Sequence, residues 1–327
     1  MNNEVMSELA IQEALDKKEQ RNNLMNQILP YLGLIVVFLF FLIVTKGALL
    51  NDLNRANLIN QCFTLTIVAM GGAFVFAHGG SDMSIAATCG CAQLVAALLL
   101  TQLGMPLWVC FIAALGVTVL GACLTASLGL VLGVPVFVGS MCIRSVFTGI
   151  LASGTAGSKI FVSQATFGFM NDTLVKGIVL ISVFAIGYFL FEHTSFGRTQ
   201  RAIGGNEQTA IQAGLHTKKM KLLSYVLLGV CVGVAAMFQM FRNGEVTSQS
   251  GTGLEFNMML AVLLGGLPMR GGEKARFVAA VIGALILTIL DNGLVLWGLD
   301  INVVNGVKGL LFVAVVGLSY DKSQGKY

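Results

Sequence analysis

The sequence predicts an all-α integral membrane protein with about ten transmembrane helices, some of them short or broken. Three observations carry that expectation. The 327 residues are 56% hydrophobic and only 11% charged, with a mean hydropathy of +0.82, far from the roughly 45–50% apolar and 25% charged of a soluble domain. The apolar residues gather into ten runs divided by polar or glycine-rich stretches. The twenty Lys and Arg fall unevenly on the two sides that those runs define, as they do in the loops of multi-pass chains.

In chain order, residues 1–27 form a polar segment holding Lys17, Lys18 and Arg21 ahead of the first run. That run opens with Pro30, which suits a first helical turn, and extends to Val44. No small-residue cleavage site follows it, so it reads as an anchor and not a signal peptide. The others are Leu58–Ala77, Ser84–Leu100, Leu107–Leu132, Val138–Leu151, Leu174–Phe191, Leu222–Phe241, Phe256–Leu267, Phe277–Leu290 and Val303–Leu318. Three of them, Val138–Leu151, Phe256–Leu267 and Phe277–Leu290, fall short of the ~20 residues a crossing needs. They either take in flanking residues or are broken or re-entrant pieces buried among other helices.

With a cytoplasmic N-terminus, parity puts the loops Glu192–Lys221 and Pro268–Arg276 and the tail 319–327 on the cytoplasmic side, leaving 28–318 as the transmembrane domain. Those regions and the N-terminal segment together hold thirteen of the twenty basic residues, against five outside (Lys46, Arg55, Lys159, Lys176, Arg242), which obeys the positive-inside rule. Trp108 and Trp297 then mark the outer interface, and Tyr31, Tyr225 and Tyr320 the inner one. Arg144 and Lys308 lie within apolar runs and are expected to snorkel, inward and outward respectively.

The most polar stretch is Phe196–Lys221, a basic island between two long apolar runs. Asn206 can cap a short helix over Asn206–Leu215, and Glu207 suits the positive end of its dipole. Ala210, Ile211, Gly214 and Leu215 share one small apolar face, and Gln208, Gln212 and His216 run down another. A helix this short is a poor lipid anchor, so that face implies a protein partner.

Two glycine-rich interruptions, Gly71–Ser84 and Gly265–Gly272, remain. The backbone is expected to break near Gly79–Gly80, with Ser81, Asp82 or Ser84 capping the restart. Breaks at membrane depth are tolerated where protein or a water-filled cavity satisfies them, which makes Gly79, Gly80, Asp82, Ser84, Gly265, Gly266 and Asn292 candidate translocation-pathway residues. The plainer readings are a capping role for Asp82, a helix end at Asp291–Asn292, close helix packing at the glycines, and a solvated surface at Glu192 and Arg198.

Seven cysteines in apolar segments read as small hydrophobes, Cys89-x-Cys91 lacks a second ligand pair, and His78, His193 and His216 have no ligand spacing. No nucleotide-binding loop or hydrolytic constellation occurs. No cofactor and no enzymatic activity are expected of this chain. A partner-seeking cytoplasmic helix suits a permease driven by a separate ATPase.

At this point the residues carry a resemblance. Gly79-Gly80-Ser81-Asp82-Met83-Ser84 resembles the GG-x-D-L-S signature of the permeases of ribose/galactose-type sugar ABC importers, a family related to branched-chain amino-acid permeases, with Met83 for the usual Leu. Phe196-Gly197-Arg198, then Ala202 to Glu207, Ala210 and Ala213-Gly214-Leu215 are similar to that family's coupling loop, with Thr209 where Ala is usual. Gly251–Glu255, Gly265-Gly266, Gly271-Gly272, Gly283–Leu287, Asn292-Gly293-Leu294 and Val307-Lys308-Gly309 follow in the family's order, so the likeness runs from about Asn57 to the C-terminus.

The resemblance implies an ABC importer permease fold in the bacterial inner membrane, with both termini cytoplasmic. It implies a partner cytoplasmic ATPase that carries ATP and Mg, an extracytoplasmic solute-binding protein, and a second permease copy or sister permease. Asn206, Glu207, Ala210, Ile211, Gly214 and Leu215 would couple to the ATPase. The solute would be a sugar or sugar-like molecule; nucleosides and autoinducer-2 are carried by the same wider family. The competing readings are an ion-coupled secondary transporter, which would act alone on an ion gradient, and a membrane scaffold that moves no solute.

Overall fold

The computed structural model describes residues 28–163 and 168–319; the segment 1–27, Tyr320 and the tail beyond it lie outside the described residues. An apolar run in lipid must bond its own backbone, and a helix does so. Each of the ten runs is a helix: α1 (Ile28–Val44), α2 (Asp52–Ala77), α3 (Ile85–Thr101), α4 (Leu107–Leu132), α5 (Val136–Thr155), α6 (Thr173–Tyr188, extended by a π-turn over Phe189–His193), α9 (Thr217–Asn243), α10 (Leu254–Leu264), α11 (Phe277–Leu296) and α12 (Ile301–Ser319). Two polar helices, α7 (Ser195–Gly205) and α8 (Glu207–Gln212), connect α6 to α9. Strands β1 (Ile160–Phe161) and β2 (Glu245–Val246) pair antiparallel.

Six of these helices, α2, α4, α5, α6 with its π-turn, α9 and α11, are long and apolar enough to cross a membrane, and α1, α3, α10 and α12 are shorter. Of the three runs that looked too short, two take in flanking residues: α5 and α11 reach 20 residues each. The third, α10, stays at 11.

The core is built on α2 and α9, which pack on each other; α3 and α4 lie against α9, and α10 and α11 against α2. From Phe63 to His78, α2 and its C-cap are buried on every side, as an all-round apolar helix must be. Peripheral α4 and α6 keep large apolar side chains outward, among them Ile112, Leu120, Ile178 and Ile181. Glycines set the closest crossings. A Cβ on Gly265 would run into the Ala279 carbonyl and one on Gly283 into the Ala261 carbonyl, so α10 and α11 meet backbone to backbone.

The bundle has two distinct ends. One gathers α7, α8, the 78–84 connection and the 265–276 loop; the other carries the β-ribbon with Trp108 and Trp297 exposed. The expected break at Gly79–Gly80 is present, since α2 stops at Ala77 and α3 starts at Ile85, and it stands at the α7–α8 end of the bundle.

A second break bears out the broken or re-entrant alternative for the run that begins at Phe256. Gly265 abuts Ala279, two residues into α11, and the 11 residues of α10 rise roughly 16 Å from there. Leu254 therefore begins about halfway through a hydrocarbon core of about 30 Å. The irregular stretch Thr247–Gly253 before it lies against the first turns of α3: Gly251, at φ +83°, has no room for a Cβ beside the Ala86 carbonyl, and the Ser250 carbonyl crowds Gly90.

Gly283→Ala should lower the unfolding temperature of the detergent-purified chain, whereas Gly116→Ala, which meets nothing within 4 Å, should be neutral or raise it through helix propensity. Differential scanning fluorimetry of the two variants checks this, and equal shifts would contradict the close α10–α11 crossing.

Candidate functional site

At the α7–α8 end, local chemistry folds the polar island into a compact hairpin of helices. Thr194 Oγ1 accepts from the Phe196 N–H at 3.2 Å and starts α7, and Gly197 lets the turn close onto the Phe191 carbonyl. Arg201 binds Glu192 at 2.7 Å and lies over the Phe191 ring, 5.3 Å from its centroid. The second oxygen of Glu192 accepts the Phe277 N–H at 3.1 Å, an otherwise orphan donor at the positive end of α11. Glu192 was expected to be solvated; it joins α6, α7 and α11. Arg198 is exposed, as expected.

Asn206 caps α8 as the sequence suggested, its Oδ1 accepting from the Thr209 N–H at 3.1 Å. The helix is shorter than Asn206–Leu215, and the reason is Gly214. It sits at φ +78°, its N–H bonds the Ile211 carbonyl at 2.9 Å, and the Leu215 N–H bonds the Ala210 carbonyl at 3.1 Å. That is the left-handed stop of a Schellman motif, so Gly214 ends α8 and does not extend its small face. Ala210 is buried, Leu215 is half-buried, and Gln208, Ile211 and Gln212 are exposed, Ile211 by 49%. The Lys221–Glu207 pair at 2.6 Å ties α8 to the start of α9.

Beneath the hairpin, four stretches of backbone meet. The Ala77 carbonyl at the end of α2 accepts the Gly272 N–H at 3.0 Å, and a Cβ on Gly204 of α7 would overlap that same carbonyl and the Gly271–Gly272 backbone. Gly79, at φ +77°, faces the Arg270 carbonyl. The connection that follows is held from within. Asp82 Oδ1 accepts from the Ser84 N–H at 2.7 Å and its hydroxyl at 2.6 Å, and Ser84 Oγ lies 3.1 Å from Thr125 Oγ1 of α4. Asp82 is thus a turn-forming residue, with its other oxygen buried and unpartnered.

Two side chains of α9 grip the same connection. Ser224 lies 2.9 Å from the His78 ring and the Tyr225 hydroxyl donates to the Ser81 carbonyl at 3.2 Å. Tyr225 is fully buried, which corrects its expected place in an interfacial belt.

Deeper in the bundle, polar side chains that the sequence scattered are brought together. Arg144 of α5 does not snorkel; it pairs at 2.8 Å with the buried Glu255 in the first turn of α10. Lys308 does not reach outward either. It is buried and bonds Asp291 at 3.2 Å and Asn257 at 3.1 Å. Asp291 and Asn292 lie inside α11 and not at its end, and Asn292 exchanges amide hydrogen bonds of 2.8 and 3.0 Å with Asn54 of α2. Gln93 and Gln239 join α3 to α9 at 3.1 Å. Asn257, Gln93 and Gln239 were missed; each is a lone polar residue in an apolar run, and the signal was that such a residue needs a partner. Glu255, just ahead of the run at Phe256, entered only as part of the Gly251–Glu255 resemblance.

The profile of the family described as "Branched-chain amino acid transport system / permease component" matches residues 54–316. The chain is 29% identical over 329 residues to the ribose import permease protein of Bacillus subtilis, covering 95% of this chain and 99% of that one. It is 30% identical over 259 residues to the ribose import permease protein of Escherichia coli, covering 76% and 79%. It is 27% identical over 340 residues to the xylose transport system permease protein of Haemophilus influenzae, covering 80% and 88%. No solved structure matches.

Glu192→Ala should destabilise the chain by about 1 kcal/mol through loss of the α11 cap, and Arg198→Ala by much less. Thermal unfolding in detergent distinguishes them, and equal effects would return Glu192 to the solvated surface.

Proposed function

The chain belongs to the family of permease components described for branched-chain amino acid transport systems, and on that premise we propose that it is the membrane-spanning subunit of an ATP-driven ABC importer for a sugar or sugar-like solute. The observation that carries this reading is the α7–α8 hairpin: it presents the exposed Ile211 of a capped, tethered helix while its inner side rests on the ends of α2 and the 265–276 loop. A short helix with one exposed aliphatic side chain and a rigid base suits docking to a globular partner better than insertion in lipid. The relatives named for ribose and xylose support the solute class.

In this reading α7 and α8 face the cytoplasm, all ten apolar helices contribute to the membrane domain, and both termini are cytoplasmic in the bacterial inner membrane. The Asn206–Leu215 segment docks to the ATPase, which binds ATP and Mg and performs the hydrolysis; this chain does no covalent chemistry. Asn206, Glu207 and Gly214 shape the docking helix, Ala210 and Leu215 seat it, and Ile211 meets the partner. ATP binding and hydrolysis shift a two-state equilibrium between outward- and inward-open forms through that contact. Solute arrives from an extracytoplasmic binding protein and passes between two permease subunits. Gly79, Gly80, Asp82 and Ser84 stand at the cytoplasmic end of the route, Gly265 and Gly266 at the inner end of α10, and Asn292 near its outer end.

Ile211→Asp should leave membrane insertion and thermal unfolding unchanged and reduce recovery of an ATPase with the tagged chain roughly tenfold or more, as a charge in the centre of an interface does. Co-purification from mild detergent with mass spectrometry and an ATPase assay checks it. Undiminished recovery would sink the docking role of α8, and solute uptake by the chain alone on an ion gradient would replace the importer reading.

A further inference from the structure

The stretch Thr247–Gly253 is irregular backbone at about the middle of the membrane, and part of it is exposed: Gln249 and Thr252 are on the surface of the chain. Lipid does not solvate irregular, polar backbone, which persists at that depth only against protein or water. Its own bonds hold it open. The Thr247 N–H donates to Ser250 Oγ at 3.0 Å, the Gln249 N–H to Thr247 Oγ1 at 3.2 Å, and Thr252 Oγ1 to Gln249 Oε1 at 3.3 Å.

Immediately after it, Glu255 offers a second observation that points to a ligand. Its side chain is 5% exposed and one oxygen bonds Arg144, while Oε2 is buried without a hydrogen bond of good geometry, the Gly253 and Glu255 backbone N–H groups being near the carboxylate but not closing on that oxygen. A buried carboxylate oxygen without a donor is costly, and a solute hydroxyl would satisfy it. Arg144, 39% exposed, keeps donors free for the solute's other oxygens. α5 and α10 both pack on α3, and the irregular stretch lies on the first turns of that helix, so the pair spans the seam between α5 and α10 beside it.

We propose that Thr247–Gly253 and the Arg144–Glu255 pair line the aqueous solute route at mid-membrane, with Glu255 Oε2 accepting from a hydroxyl of an uncharged polyhydroxylated solute. The pair is neutral as a unit, as is Lys308–Asp291, so the wall offers hydrogen bonds and no net charge to attract an ion. The solute class rests on the importer reading; the wetness of the seam does not.

Two experiments test this. Thr252→Cys is exposed to a membrane-impermeant cationic thiosulfonate in right-side-out and inside-out vesicles, with the unmutated chain as background and Ser158→Cys, exposed at the β-ribbon end, as reference. Labelling of Thr252→Cys from at least one side at a rate near the reference is expected. A rate at background from both sides means that the seam is sealed by lipid or a second copy, and overturns the proposal. Uptake of labelled D-ribose and D-xylose is then compared for Glu255→Gln and for Arg144→Gln with Glu255→Gln. Loss of a charged hydrogen bond to solute predicts a roughly tenfold or greater fall for the single change, not recovered in the double. Recovery in the double means that the pair is only structural, since neutralising both members of a buried pair is tolerated, and overturns the recognition role. If the unmutated complex takes up neither these pentoses nor labelled hexoses, the sugar reading fails while the labelling result stands on its own.

Discussion

The interaction on which the rest of this structure depends is the meeting of bare backbones at the Ala77 carbonyl. Its one hydrogen bond, from Gly272, contributes only about 1 kcal/mol. What matters more is distance, because Gly204, Gly271 and Gly272 let α7, α2 and the 265–276 loop approach until no side chain fits between them. Contacts that close cannot slide or compress, since packed interiors transmit displacement and do not absorb it. A load applied to α8 is therefore delivered to α2, and through α2 to α9, α10 and α11, which pack on it. Glu192 adds a second tether to α11 from the other side of the hairpin.

The membrane interior follows a different rule. Charges placed there are expensive unless paired and bonded, and the chain pairs them between helices: Arg144 of α5 with Glu255 of α10, and Lys308 of α12 with Asp291 of the preceding helix α11 and Asn257 of α10. These pairs sit on either side of α10, the one apolar helix of only half-membrane length among the described residues. Shortening that helix leaves Thr247–Gly253 without regular structure at a depth where regular structure is the norm. Stiff backbone contact at one end of the bundle and paired polar groups beside a broken segment at mid-depth are complementary requirements of a membrane protein that must both move as a body and admit a polar solute.

Much of this was legible in the sequence. The ten helices follow from hydropathy, the Asn206 cap from its position ahead of Glu207, and the break after Ala77 from paired glycines. The rest needed distances. Gly214 could be placed on a helix face by spacing, but only its left-handed backbone shows that the helix has already ended. Glu192 and Tyr225 carried no local signal, because their partners Phe277 and Ser81 are 85 and 144 residues away. Lys308 was read as snorkelling because a lone cation near a helix end ordinarily does so, and nothing local revealed Asp291 and Asn257 beside it. The shortness of the apolar run beginning at Phe256 allowed a broken piece, but α9 runs on to Asn243 and nothing local placed the break at Thr247–Gly253.

The claim that the hairpin moves as one body with the membrane domain is tested most directly by a pulsed electron–electron resonance distance. Spin labels at Gln208 of α8 and Glu273 of the 265–276 loop, both exposed, would be followed in the assembled complex with and without ATP. A narrow distribution that keeps its centre in both states is the expected result. A shift of several ångströms or a marked broadening on ATP binding would show that α8 moves against the glycine contact and would contradict the account.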